Sequence, residues 1–278
     1  MTQQELEEEL IKNLQQIGVE VPRLEAKWMF EKVGLRQDGQ SVSLNQQEEI
    51  WSFFDRRSKG EPLAYILEER GFYKDVFFVN EGVLIPRPET EILVDEALGW
   101  AAKNPRDSVK IFDFGCGTGC IGLSILKELM NSSLVAFDLS PVAVEVAKKN
   151  SENLKLSDRS EMVLKSVDEI QPEDFGQADI IVSNPPYIAD NDPNVWKSVH
   201  QFEPKMALYS GPSGFEKIEP WSKTAFGLLR PGGFFTMEFG KGQDQEVIKI
   251  LQQLSFREIR VIKDLAGLNR VVTAQKEN

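Results

Sequence analysis

The chain has one histidine and two cysteines in 278 residues. That set is too small for a zinc site with the usual ligand spacing, so no metal is expected. The cysteines, Cys116 and Cys120, lie four apart inside a Gly-rich turn, which reads as two small, buried, reduced residues. Cys–His nucleophilic catalysis would need His200, read as a loop residue, to meet one of them, and no pattern brings them together. Basic charge is also scarce. Lys and Arg number 32 against 44 Asp and Glu, a formal net charge of −12, and no run of Lys and Arg offsets it. Nucleic acid is held largely by cations that neutralise phosphates, so a stable DNA or RNA partner is not expected. The acidic balance suits a protein partner better, a basic one above all. No apolar run approaches the ~18 residues that span a bilayer. The first residues, Met1-Thr2-Gln3-Gln4-Glu5, are polar and acidic, which argues against a secretory signal. The expectation is a cytoplasmic protein, monomeric, with no membrane partner.

What is present is enough for a real core, with 41% apolar and 27% charged residues. The length suits one large domain or an ordinary domain with a small one. The first 60-odd residues carry helical periodicity. Leu6, Leu10, Leu14 and Ile17 recur at spacings of four, four and three before Gly18. "VPRLEAKWMFEKVG" has Pro near its start and Gly at its end, and "SLNQQEEIWSFFDRRSKG" repeats an apolar face through Ile50, Phe53 and Phe54. A small all-helical domain over residues 1–70 is expected. "GFYKDVFFV" then reads as a hairpin or extended linker, assigned to residues 71–86.

From about residue 108 strands and helices alternate. "VKIFDFG", "SLVAFD", "EMVLKS", "ADIIVSN" and "GGFFTMEFG" read as strands separated by helical stretches, and "FREIRVIKD" and "NRVVTAQ" close the chain. This alternation predicts an α/β fold with a doubly wound, mostly parallel, seven-stranded sheet over residues 87–278, its last two strands forming an antiparallel edge.

"IFDFGCGTGCIG" leads from a strand into a helix. Gly115, Gly117 and Gly119 let the backbone turn tightly and approach a ligand. A nucleotide belongs at such strand ends, and Asp138, closing the second strand, stands where a carboxylate bonds ribose hydroxyls. Read from Gly117, the loop satisfies the dinucleotide fingerprint G-x-G-x-x-G. Read from Gly115, it is the G-x-G-x-G of S-adenosylmethionine enzymes. A tight turn that binds nothing is the plain alternative.

After the fourth strand comes Asn184-Pro185-Pro186-Tyr187. Consecutive prolines cannot continue a strand, so an amide side chain and a ring are presented at its end. An amide nitrogen or the exocyclic amine of a base is a poor nucleophile and needs positioning more than a strong base. The Asn184 oxygen and the Pro185 carbonyl can each accept one N–H of such a group, and Tyr187 supplies a flat face. Near-attack alignment of this kind is worth several kcal/mol. The plain alternative is a prolyl strand terminator with Asn capping a turn.

These motifs together resemble the peptide chain release factor glutamine methyltransferases, a branch of the class I, Rossmann-like S-adenosylmethionine methyltransferases. The resemblance runs from "EPLAYI" and "LIPRPETE" through "FDFGCGTGCIGLSI", "SNPPYI", "FEPKMALYSGPSGFE" and "LLRPGGFFTMEFGKGQ" to "KDLAGLNRVV", all in family order. It implies methyl transfer to the side-chain nitrogen of the Gln in a release factor's Gly-Gly-Gln loop, with the helical domain helping to dock that protein. It implies that Gly115, Cys116, Gly117, Thr118, Gly119, Asp138 and Asn184 hold S-adenosylmethionine. Asn184, Pro185 and Tyr187 are then catalytic, and Pro186 joins them in shaping the Gln pocket. Some members carry an Asp and a large apolar residue beside the adenine; here the stretch has Val167 and Asp168. Either Asp168 bonds the adenine amine or the register shifts by one. Arg87 and Glu89 either meet the substrate and cofactor or form an ion-paired helix start favoured by the helix dipole. Glu238 orients neighbouring loops. The rival readings are an adenine amino-methyltransferase on DNA or RNA, a glutamine methyltransferase of a ribosomal protein, a catalytically dead adaptor and a nicotinamide dehydrogenase.

Overall fold

The computed structural model of the chain describes residues 2–35, 39, 41–190, 192 and 197–277. These form two compact units, one of residues 1–69 with 197–202 and the other of residues 70–196 with 203–278.

The first unit is helical, with α1 (Gln3–Gln16), α2 (Pro22–Lys32), α3 (Leu44–Ser58) and α4 (Leu63–Leu67). Two capping boxes start α1 and α3: Thr2 with Glu5, and Ser43 with Gln46. Each satisfies backbone donors that the first helical turn leaves open. Leu6, Leu10 and Leu14 are fully buried, and they pack with Ala26, Met29, Phe30, Ile50 and Phe53. Ile17 falls at the C-cap of α1, off this face, and is exposed. Arg57 and Glu25 form an ion pair at 2.8 Å that joins α3 to α2.

The second unit opens with a two-stranded hairpin, β1 (Glu69–Phe72) and β2 (Asp75–Phe78). The hairpin is no free tether, because Phe72 and Phe77 are buried in the same core as the sheet and its helices. After a 3-10 turn at Pro88–Thr90 the order is α5 (Glu91–Lys103), β3 (Val109–Phe114), α6 (Cys120–Glu128), β4 (Ser132–Asp138), α7 (Pro141–Asn153), β5 (Ser160–Leu164), α8 (Pro172–Phe175) and β6 (Ala178–Ser183). Two short helices follow, α9 (Lys197–Phe202) and α10 (Lys205–Leu208), then α11 (Ile218–Leu228), β7 (Leu229–Glu238), α12 (Asp244–Gln253), β8 (Phe256–Lys263) and β9 (Asn269–Lys276). His200 therefore lies in a helical turn rather than a loop.

The seven-stranded sheet has the order β5-β4-β3-β6-β7-β9-β8. All neighbours from β5 to β7 pair in parallel, while β9 is antiparallel to both β7 and β8. The last two strands thus form the antiparallel edge that the sequence reading expected, with β9 against β7 and β8 outermost. Every residue of β6 is buried, as fits a strand covered on both faces. Ile111, Ile180 and Val182 point to the face covered by α5, α6 and α7. Phe112, Phe114 and Ile181 point to the face covered by α11 and α12. The strand order reverses between β3 and β6, and such a switch point opens a crevice at the carboxyl ends of the strands.

Candidate active site

Strand β3 stops at Gly115 because the chain turns through left-handed backbone, with φ of 68° at Gly115, 54° at Gly117 and 76° at Gly119. At Gly115 the requirement is double, since a Cβ there would also stand 2.8 Å from the Trp221 ring. The amides of Gly115 and Cys116 both donate to the Phe137 carbonyl of β4, at 2.9 and 3.0 Å. Gly117 N–H donates to Oδ2 of Asp138 and Ser140 N–H to Oδ1, each at 2.9 Å. Asp138 is therefore clamped by backbone donors on both oxygens. Burial raises its pKa against the pull of those amides.

This turn forms one end of a cleft, open at its mouth and lined by Gly82, Val83, Leu84, Gly115, Gly117, Asp138, Leu139, Val167, Asn184 and Trp221 among others. The lining is largely apolar, with Asp138 placed to receive hydroxyls and Leu139 and Val167 to receive a flat ring. The loop and the acid fit the nucleoside of S-adenosylmethionine.

The sequence-predicted residues divide in two. Gly115, Gly117, Asp138, Asn184 and Pro186 line the cleft. Cys116 and Thr118 are buried beside the loop, Pro185 is buried next to Asn184, and Gly119 opens α6. Burial pushes the Cys116 thiol well up and that of Cys120 to about 12, so both stay protonated and serve packing. Asp168 is not part of the lining. Its carboxylate pairs with Lys217 at 3.0 Å, while its neighbour Val167 faces the cleft. Arg87 is paired with Glu203, whose other oxygen receives the Ile85 amide at 3.2 Å.

Strand β6 delivers Asn184 beside the glycine loop. Phe114 and Ser183 are register partners, so Gly115 and Asn184 leave adjacent strand ends together. On the other side Ser183 pairs with Met237, which sets Glu238 next to Asn184. Asn184 Nδ2 donates to Thr90 Oγ1 at 3.4 Å. Thr90 donates to Glu238 Oε2 at 2.6 Å, and the Tyr187 hydroxyl donates to Oε1 at 2.9 Å. Burial raises the pKa of Glu238, opposed first by these two hydroxyls and then by Arg270, while Glu89 adds to the rise. Burial and the neighbouring Glu238 also hold the Tyr187 phenol far above its usual pKa, so it stays a donor. Gln243 Nε2 donates to the Tyr187 carbonyl at 3.0 Å, and its Oε1 receives the Gly240 amide at 2.7 Å. Gly214 has φ of 81°, and a Cβ there would stand 2.6 Å from the Tyr187 carbonyl. Among the described residues nothing donates to Asn184 Oδ1 or to the Pro185 carbonyl. The site therefore offers two free acceptors, one on a side chain and one on the backbone.

Thr90, Gln243 and Asn150 escaped the sequence reading. Asn150 exchanges bonds with Phe78 N–H and C=O and donates to the Thr118 carbonyl, tying hairpin to glycine loop. For Thr90 a signal existed, since it belongs to the "PRPETE" stretch; Asn150 sits unmarked in an ordinary helix.

The fold and the cleft define an S-adenosylmethionine-dependent methyltransferase. Residues 93–203 match the model of the methyltransferase small domain, and residues 5–67 match that of the PrmC N-terminal domain. The chain is 36% identical over 272 residues to a release factor glutamine methyltransferase of Rhodopirellula baltica, covering 93% of this chain and 91% of that protein. It is 32% identical over 271 residues to another from Caulobacter vibrioides, covering 95% and 92%. A bifunctional methyltransferase of Rickettsia typhi is 33% identical over 284 residues, and the chain spans only 54% of its length. Among solved structures, the hMettl16 catalytic domain in complex with an RNA hairpin superposes with a TM-score of 0.57 at 14% identity, over 86% of each chain, a likeness of fold alone. The chain belongs to the release factor glutamine methyltransferase family. Among the described residues no helix is long and apolar enough to cross a membrane.

Proposed function

We propose that the cleft transfers a methyl group to the side-chain amide nitrogen of the Gly-Gly-Gln glutamine of a class 1 peptide chain release factor. The carrying observation is the pair of acceptors that no described residue claims, Asn184 Oδ1 and the Pro185 carbonyl, beside a largely apolar cleft that ends at Asp138. When bound, S-adenosylmethionine supplies an electrophilic methyl group. Gly115, Gly117 and Asp138 hold the cofactor, with Val167 against its ring system. Cys116, Thr118 and Gly119 shape the turn from behind. Asp168 acts at its rim through Lys217.

The substrate nitrogen has two N–H bonds and a lone pair delocalised into its carbonyl. Asn184 and Pro185 accept one N–H each, which fixes the nitrogen and localises its lone pair toward the cofactor end of the cleft. Pro185 and Pro186 stiffen the loop so that this geometry exists before substrate arrives. Tyr187 lays its ring along the amide plane while its hydroxyl is anchored on Glu238. The alkylated amide is a strong acid, so water suffices to take its proton.

Residues 1–70 form the helical module that docks the release factor, residues 71–86 link it, and residues 87–278 catalyse. The protein works in the cytoplasm as a monomer, with no lasting nucleic-acid or membrane partner. The net charge of −12 supports that reading over an adenine methyltransferase. The test offers labelled S-adenosylmethionine with purified release factor, ribosomal proteins, duplex DNA and rRNA, and locates the label by mass spectrometry. Label on the Gly-Gly-Gln glutamine is the expected outcome. Label on adenine, or on a ribosomal protein alone, overturns the substrate.

A further inference from the structure

The amide of an asparagine has two faces of nearly equal volume and opposite chemistry. Rotation by 180° exchanges an acceptor oxygen for a donor nitrogen, so packing alone does not choose between them. For a target that brings N–H bonds, only the oxygen serves. Something must decide which face Asn184 shows.

We propose that Glu238 and Thr90 form a hydrogen-bond relay whose polarity turns the oxygen of Asn184 toward the cleft, which makes both of them positioning residues for the methyl transfer. This rests on the reading of the site given above. Glu238 is fully buried, ends β7, and among the described residues accepts bonds from two hydroxyls and from no cation. Burial raises its pKa, and the two hydroxyls that donate to it, Thr90 to Oε2 and Tyr187 to Oε1, oppose that rise; with the carboxyl ionised it only accepts, and both protons point at it. The 2.6 Å contact from Thr90 is in the range of a charge-assisted O–H bond. Thr90 has a single proton, and that proton is committed. Its oxygen can then only accept, and what it accepts is Asn184 Nδ2–H at 3.4 Å. The flipped amide would set Oδ1 against Oγ1, two acceptors face to face with no proton between them.

The parts come from three separate places in the chain. Thr90 closes the 3-10 turn Pro88–Thr90, Asn184 leaves β6 and Glu238 leaves β7. Thr90 is 3% exposed, so water does not compete for its proton. The other donor on Glu238, Tyr187, lies on the same loop as Asn184, three residues on. One acid thus sets both the amide orientation and the ring position.

Thr90→Val removes the acceptor and keeps the shape. Its kcat for methyl transfer to release factor is expected to fall about 10- to 100-fold, with KM for release factor and affinity for S-adenosylhomocysteine held within about twofold. Thr90→Ser should restore most of kcat. In a 15N NMR spectrum without substrate, the Asn184 side-chain amide, assigned by its loss in Asn184→Ser, should show one N–H shielded from exchange with water. That protection should vanish in Thr90→Val. A Thr90→Val enzyme with wild-type kcat, or one in which cofactor affinity falls as far as kcat, overturns the relay. Where Thr90→Val does not fold, the wild-type spectrum decides, and two equally fast-exchanging Asn184 protons overturn it. A wild-type enzyme that leaves release factor unlabelled overturns the functional reading instead, and the NMR result still judges the relay.

Discussion

The two ends of the cleft are built by different means. At the end proposed for the cofactor the backbone sets the geometry: three glycines at positive φ shape the turn, and its amides hold the one acidic side chain, Asp138. At the end proposed for the substrate nitrogen the geometry is set by side chains, a buried acid, a threonine and a glutamine behind Asn184 and Tyr187. A backbone cradle is set by the fold and tolerates only glycine where a side chain would collide. A side-chain relay depends on who donates to whom and can be changed by one atom. The cofactor end should therefore fail through affinity and stability, and the nitrogen end through turnover.

The sharpest way to separate them is Asn184→Ala. A fall in kcat of about 100- to 1,000-fold is expected, as for loss of one preorganised polar contact to a reacting group. Affinity for S-adenosylhomocysteine, read by calorimetry, should change less than about threefold. An enzyme with near-normal turnover would sink the positioning role. The mirror experiment is Asp138→Ala, which removes charged acceptors worth about 1.5–3 kcal/mol. Cofactor affinity should drop about 10- to 100-fold, and turnover at saturating cofactor should stay close to wild type. A selective loss of kcat there would erase the contrast. Gly115→Ala meets both the positive φ and the Trp221 ring, and should cost about 1–3 kcal/mol in urea unfolding. An unchanged midpoint would mean that the turn has room to adjust.

The smallest effect concerns Asp113, under the glycine loop. It is fully buried, accepts from the Gly122 amide at 2.9 Å, and burial lifts its pKa from 3.8 to about 7. Between pH 4 and 7 the folded chain keeps a proton that the unfolded chain has lost, so stability falls as pH rises through that window. The slope contributed is at most about 1.4 kcal/mol per pH unit. Asp113→Asn should flatten the dependence of Tm on pH there, and an unaltered slope would show that Asp113 ionises normally.

What the sequence made legible follows the same division. The glycine loop, Asp138 and Asn184-Pro185-Pro186-Tyr187 are each local, with residue types that few other conformations require. Apolar runs marked all seven strands, and Ser140 with Pro141 marked the start of α7, where the Ser140 hydroxyl accepts the Ala143 amide at 3.3 Å. The relay was not legible, because Thr90 and Glu238 lie 148 residues apart and each looks ordinary alone. Nor was the lateral order of β8 and β9, since periodicity reports which strands exist and not which neighbour each one takes. Val167 and Asp168 were ambiguous by one position, and the geometry that distinguishes them is an ion pair to Lys217, 49 residues further on.

The placement of β9 between β7 and β8 bears on how the protein is made. A ribosome releases β7 before β9, so until β9 emerges the nascent β7 has an open side. The Phe239 amide, next to Glu238, has then no Arg270 carbonyl to donate to, a bond of 2.9 Å in the finished sheet. An unpaired strand of this apolar kind is an invitation to aggregate. The strand end that carries Glu238 is thus among the last parts of the sheet to gain its neighbour. A stalled or truncated chain would carry a complete glycine loop and an unpaired β7 beside Glu238.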